Sequence, residues 1–423
     1  MRNVLLALLL TATAHAQTIA IKAAHMLAVP GGNAIDNAVV IVEGDTITAA
    51  GANLPIPAKA KVIDLGGATI LPGFIDAHTH LIGRALGEPG WDDSEVRDLE
   101  GYGAIRGVEN AQKTLLAGIT TVRNVGASYF NDIALRQAIN EGHVPGPRMR
   151  SAAHAIGITG GHCDDNGFRP GVIERGPRDG VANGAEEVRA AVRNQVKYGA
   201  DVIKVCATGG VLSEGDAVGA TQYSFEELKA LVDEANKLER KVAAHAHGTE
   251  GIKLAVRAGV SSIEHGSFLD EEGAKMMAER GTYLVPTLSA VETVEKAAKS
   301  GVLKGLRAEK ALAAASAVRN AMKLALANHV PIAMGTDAGV GAHGTNMHEL
   351  TLMVEWGGMK PADAIAAATI GGAKLLGWDK RIGSIEAGKY ADIIAVPGDP
   401  VQDIHVLDRV SFVMKSGVVY KQP

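Results

Sequence analysis

GFIDAHTH, residues 73–80, starts as a short apolar strand and ends in two histidines one residue apart. Alternation along an extended chain puts His78 and His80 on the same face. Both imidazoles can then bind one ion at about 2.0–2.1 Å. Leu71-Pro72-Gly73 forms a turn ahead of them, and Phe74-Ile75 reads as buried strand. Asp76 lies on that face too, where it can orient a ligand from behind. A lone His-x-His can be structural, so the weight falls on four more segments: DVIKVCATGG (201–210), KVAAHAHG (241–248), SSIEHG (261–266) and PIAMGTDAG (331–339). In each, a short apolar run ends in a candidate site residue: Lys204, His245, His265 and Asp337. A (β/α)8 barrel gathers its strand ends at one mouth, where active sites lie. Residues far apart in sequence would therefore meet.

The pattern around these motifs predicts an α/β chain: a TIM-like (β/α)8 barrel over 68–382 with a small β-sandwich built from both chain ends. Residues 17–67 read as strands (TIAIKAAHML, AVVIVEGDTITAAG, AKVIDLGG) separated by Gly-containing turns. Residues 383–423 have the same texture in GSIEAGKYADIIAV and DRVSFVMKSGVVY. Between them, strands are expected near 70–77, 119–124, 150–156, 201–206, 241–246, 261–265, 283–287 and 331–336. Helical periodicity follows most of them, as in Glu186–Tyr198, Ser224–Leu238 and Pro361–Leu376. Ser224 with Glu227 three residues on is a capping-box pattern. A doubly wound sheet is the alternative to the barrel.

A chain of 423 residues can bury one large core and a small accessory domain. The net charge of −5, with no Lys/Arg-rich tract, argues against a nucleic-acid partner. Arg2, the apolar run Val4–Leu10 and Ala14-His15-Ala16 fit a cleaved signal peptide over 1–16. The run is too short for a permanent membrane span. An exported protein, periplasmic or secreted, with no membrane anchor is expected, starting at Gln17. The two cysteines, Cys163 and Cys206, would allow one disulfide in such a protein. The place of Cys206 at a strand end beside Lys204 favours a buried free thiol instead.

Lys204 is an unusual neighbour for a metal, since an ammonium repels cations. It reads either as a structural lysine paired with a carboxylate or as a carbamate formed from CO2. Burial near cations favours the neutral amine that carboxylation needs. The product is an anion with two oxygens, able to bridge two ions. Two divalent ions, a carbamate, one Asp and one hydroxide leave a positive charge to polarise a carbonyl oxygen. Asp337 can ligate and also accept the proton of the attacking water.

With these motifs in this order, the chain beyond residue 16 resembles the metal-dependent amidohydrolases. GSIEAGKYADIIAV is similar to the family's C-terminal return to its sandwich. The resemblance implies the binuclear subtype with carboxylated Lys204 as bridge. His78, His80 and Asp337 would hold one metal, and His245 and His265 the other. Zn is the first choice, although Mn and Co also suit such N/O sites. GITGGHCDD (157–165), KVCATGGVLSEGD (204–216), ATQYSFEEL (220–228), AAHAHG (243–248) and AHGTNMHEL (342–350) resemble bacterial imidazolonepropionase-related peptidases, and among them the ochratoxin-hydrolysing amidohydrolases. That branch implies cleavage of a C-terminal amino acid from dipeptides or N-acyl amino acids, with ochratoxin A, an N-acyl-phenylalanine, in range. It also implies a homo-oligomer. His162, Tyr223 and His247 match polar positions of the branch's substrate pocket, with loop hydrogen bonding as their ordinary alternative. A cyclic-amide hydrolase resembling imidazolonepropionase or dihydroorotase is the nearest rival. A non-catalytic scaffold on the same barrel would be expected to have lost ligands, and none is missing.

Overall fold

The computed structural model describes residues 17–423 apart from Pro30. The signal peptide expected over 1–16 lies outside the described residues. Strands β1 (Thr18–Met26), β2 (Ile35–Glu43), β3 (Thr46–Ala52), β4 (Lys61–Asp64) and β5 (Ala68–Pro72) come first. Strands β6 (Phe74–Thr79), β7 (Ile119–Asn124), β8 (Arg148–Ser151), β9 (Val202–Cys206), β10 (Lys241–Ala246), β11 (Ser262–His265) and β12 (Tyr283–Val285) alternate with helices. Strands β13 (Ile393–Pro397), β14 (Phe412–Lys415) and β15 (Val418–Lys421) end the chain. The protein is therefore α/β, with β-rich ends.

The two ends meet in one eight-stranded mixed sheet of order β15-β14-β13-β5-β1-β2-β3, with β4 on β1. Ile21, Val40, Ile70, Ile393 and Phe412 fill one apolar layer of it. Ala20, Val39 and Ile41, the alternate positions, join a second. Residues 68–72, expected at the start of the barrel, belong here instead. Ile394 of β13 lies opposite Leu71 of β5, and Ile70 pairs with Met26 of β1. All five residues of β5 are buried, so this segment is held between strands on both sides.

The middle of the chain forms two parallel sheets, β6-β7-β8 and β9-β10-β11-β12. Backbone bridges extend both. Ile156 bridges to Val205 of β9, Ile332 to Leu284 of β12, and Ala338 to Thr79 of β6. The segment after Pro331 is thus bonded to β12 through Ala333 N→Leu284 O (3.1 Å) and to β6 through Ala77 N→Met334 O (2.9 Å) and Asp337 N→His78 O (2.7 Å). Several expected strands are shorter than predicted: that at 283–287 ends at Val285, and two others depart further. β8 stops at Ser151, because Ala153 turns left-handed at φ 60 before Ile156 rejoins β9. Residues 331–336 make bridges but no regular strand: Pro331 has no N–H, and the left-handed Asp337 (φ 57) ends the run.

Helices cover the parallel sheets. The expected helix at 224–238 is Phe225–Lys237, capped as predicted: Ser224 Oγ accepts from Glu227 N, and Glu227 Oε2 accepts from Ser224 N at 2.9 Å. Such a cap contributes about 1 kcal/mol. The expected helix 361–376 is broken by a wider turn over Ala367–Gly371. There the Ala367 carbonyl also accepts from Met334 N, tying the helix to the segment that leads to Asp337.

Candidate active site

His78, His80, Lys204, His245, His265 and Asp337 line one cavity of about 300 Å³. His78, His80, His245 and His265 sit at or just past the C-terminal ends of parallel strands, Lys204 lies in the middle of β9, and Asp337 is on the bridged segment 331–338. His265 and Asp337 both have left-handed backbones, at φ 70 and 57. Non-glycine residues pay a steric cost there and hold that shape only where their surroundings enforce it.

Hydrogen bonds at the rear nitrogens decide which way the rings face. His78 Nδ1 lies 2.7 Å from Glu264 Oε2, and His80 Nδ1 lies 3.2 Å from Gly126 O. A carbonyl only accepts, so His80 Nδ1 carries the proton and Nε2 has the lone pair. The same holds for His78, whose Nδ1 faces the Glu264 carboxyl that accepts from Arg123. Nδ1 of His265 meets Thr287 Oγ1 at 2.7 Å, and Nδ1 of His247 meets Ser267 Oγ at 2.8 Å. Nε2 of His78 and His80 reach to 3.6 and 3.4 Å from Asp337 Oδ1.

These residues fit divalent cations. The ligand atoms of His78, His265 and Asp337 lie within 4.8 Å of one another, and so do those of His245, His247 and His265. Nε2 of His245 is buried without any hydrogen-bond partner. Unpaired buried nitrogens are rare, and coordination is a direct use for one. The grouping differs from the expected sets of His78, His80 and Asp337 and of His245 and His265, since His265 belongs to both groups and His247 joins the second.

Lys204 is buried, and burial lowers its pKa to about 8, with Glu264 and Asp337 opposing the shift. Burial raises Asp337 to about 7, against the pull of Lys204. The neutral amine and the protonated acid are thus both within reach near neutrality.

Two of the three expected substrate-pocket residues come to the site. The His162 ring stacks on His245 at 4.0 Å, and the His247 ring stacks on His265 at 4.8 Å. Tyr223 does not. Its side chain is buried and its hydroxyl donates to Ala182 O at 2.8 Å, away from the cavity lining. The expected free thiols are also corrected. Cys163 and Cys206 form a disulfide with Cα atoms 5.9 Å apart. Ile156, bonded to Lys204 and Cys206 through its N–H and carbonyl, brings the following loop and Cys163 over the end of β9.

Glu264 and Arg123 escaped the motif reading. Arg123 donates to Glu264 Oε1 (2.8 Å), Ser262 Oγ (3.0 Å) and Ala77 O (2.6 Å), all in full burial. A charged residue inside an apolar strand was the available signal, since a buried charge needs a partner. Beyond His80 and Gly83 the site meets a second cavity of about 330 Å³, lined by Arg84, Arg106 and Arg175 among others.

The sequence profile of the Amidohydrolase family matches residues 69–420. The chain belongs to this family. It is a hydrolase acting on amide bonds. It is 35% identical to ochratoxinase of Aspergillus niger over 426 residues, covering 94% of this chain and 86% of that protein. The crystal structure of a Xaa-Pro dipeptidase with methionine bound in its active site superposes with a TM-score of 0.91 at 38% identity, covering 96% of this chain and all of the other. A prolidase complexed with N-methylphosphonate-L-proline matches at TM-score 0.88 and 30% identity, with 96% and 100% covered.

Proposed function

We propose that this chain is an exported, two-metal hydrolase on a (β/α)8 barrel that releases the C-terminal amino acid from dipeptides or N-acyl amino acids. The observation that carries the proposal is the convergence of four histidines, Lys204 and Asp337 on one cavity in a chain related to ochratoxinase and to a Xaa-Pro dipeptidase. The bridges at Ile156, Ile332 and Ala338 support closure of the parallel strands into a barrel. Export rests on the pattern in residues 1–16, and the Cys163–Cys206 disulfide agrees with an oxidising compartment.

His78, His80, His245, His265 and Asp337 would hold the ions, Zn by first choice. Lys204 would bridge them as a carbamate: its neutral amine forms an N–C bond to CO2 and releases a proton to solvent. When bound, the ions would supply Lewis acidity to the amide carbonyl and lower the pKa of the attacking water. Asp337 takes the proton of that water and passes it to the leaving nitrogen. His162 and His247 lie beside the ligands; with Nδ1 accepting from the Ser267 hydroxyl, the neutral His247 ring presents an Nε2–H donor for the substrate's α-carboxylate. N-acyl-phenylalanine, ochratoxin A included, falls within this substrate class.

The test is metal analysis combined with a panel of N-acyl amino acids, their C-terminal amides and dipeptides. Two ions per chain and release of free amino acid from the acids, far slower from the amides, are expected. A fully metal-loaded protein that releases no amino acid from any member overturns the proposal.

A further inference from the structure

A smaller chamber shares His162, His245, His265 and Asp337 with the main cavity and encloses about 70 Å³. Apart from these residues and His247, its lining is apolar throughout. Val211 comes from the loop after β9, Val291 and Val294 from helix Leu288–Lys299, Ala314 from helix Gly305–Ala327, and Val340 from the segment after Asp337. Val211, Val294 and Ala314 belong to one buried cluster with Ala297, Leu303 and Ala311. The wall is therefore backed by hydrocarbon. The nearby buried Lys310 is already engaged by Ser213 O (2.7 Å) and Asp216 Oδ1 (3.0 Å), so it offers no free charge.

We infer that this chamber selects the side chain of the departing C-terminal residue, and that it selects apolar side chains against charged ones. The inference rests on the proposed amino-acid-releasing activity and extends it to a substrate class. Size assigns the two sides of the scissile bond. At about 70 Å³, and open to the main cavity through the shared residues, the chamber takes a single side chain rather than an acyl group. The acyl group, larger and more varied, goes to the 330 Å³ cleft with its arginines. His162 and His247 stand where the chamber meets the metal-ligand cluster, close to the α-carbon of a residue whose side chain points inward. Past the histidines and Asp337 that it shares with the metal-ligand cluster, a Lys, Arg, Asp or Glu side chain pushed into the apolar part of the chamber finds no partner. Each added methylene that is buried favours binding by roughly fourfold.

The experiment measures kcat/KM of the metal-loaded enzyme on N-acetyl derivatives of Ala, α-aminobutyrate, norvaline, Leu, Met, Lys, Arg, Asp and Glu. We expect a rise of roughly fourfold per methylene along the first three. Leu and Met should exceed the charged residues by roughly a hundredfold or more. Val294→Asp should lower the rate for Leu and raise it for Lys and Arg. Ala314→Leu should lower Leu and Met while sparing Ala. Val340→Asp, at a partly exposed position, reads the same charge effect if Val294→Asp does not fold. Charged residues released as fast as Leu, or folded and metal-loaded variants that keep the original rank order, overturn the inference. Release of no amino acid at all overturns the activity on which it rests.

Discussion

Glu264 Oε2 and His78 Nδ1 are 2.7 Å apart, and both side chains are buried. The same carboxylate takes a 2.8 Å hydrogen bond from Arg123, so its position is set from two sides. The imidazole of His78 is thereby held in one tautomer and one orientation, with Nε2 towards Asp337.

For Glu264→Gln we predict a 10–100-fold loss of metal affinity, because carboxylates behind metal-binding histidines commonly contribute that much. Arg123 also loses its ionic partner, and breaking a buried pair costs about 3–5 kcal/mol. Metal titration of folded protein separates the two effects. An affinity equal to that of the parent would rule out the positioning role.

Lys204→Ala removes the proposed bridging anion. We predict loss of bound metal and of activity, both measured on the same sample. Strong chelation of the parent enzyme should abolish activity, and added divalent metal should restore it. A fully active Lys204→Ala protein is incompatible with the bridge.

Asp337→Asn keeps the size of the side chain and an oxygen ligand but cannot accept a proton. Turnover should fall by roughly 10²–10⁴-fold, the usual contribution of a positioned general base. Metal content should remain. Near-parental turnover would move the base role to another group.

Tyr223→Phe should act on stability and not on substrate choice. Removing its hydroxyl leaves the Ala182 carbonyl without that donor, at a cost of about 1–3 kcal/mol. The thermal midpoint should drop while the relative rates for acid and amide substrates stay the same. A selective loss on acid substrates would return Tyr223 to the substrate pocket.

The Cys163–Cys206 disulfide predicts no titratable thiol in denatured, unreduced protein and two after reduction. Reduction should destabilise the chain by about 2–4 kcal/mol. Two free thiols before reduction would contradict the cross-link.

Local pattern was enough for much of this protein. The strands at 119–124 and 241–246 match the expected ranges because each is a short β-prone run, and the run at 201–206 matches within one residue. Strand ends rich in His and Asp were likewise legible, since a barrel or parallel sheet delivers all such ends to one side. The capping box at Ser224 is a contact within one helical turn and needed nothing more. What the tertiary structure alone decided involves partners far apart in the chain or backbone angles that neighbours impose. Glu264 reaches His78 across 186 positions, and Tyr223 is diverted to the Ala182 carbonyl. Cys163 meets Cys206 because the chain leaves β8 after Ser151, turns at Ala153 and returns to β9 at Ile156. Residue periodicity records which face a side chain takes; it carries no record of which distant group satisfies a buried charge, hydroxyl or thiol.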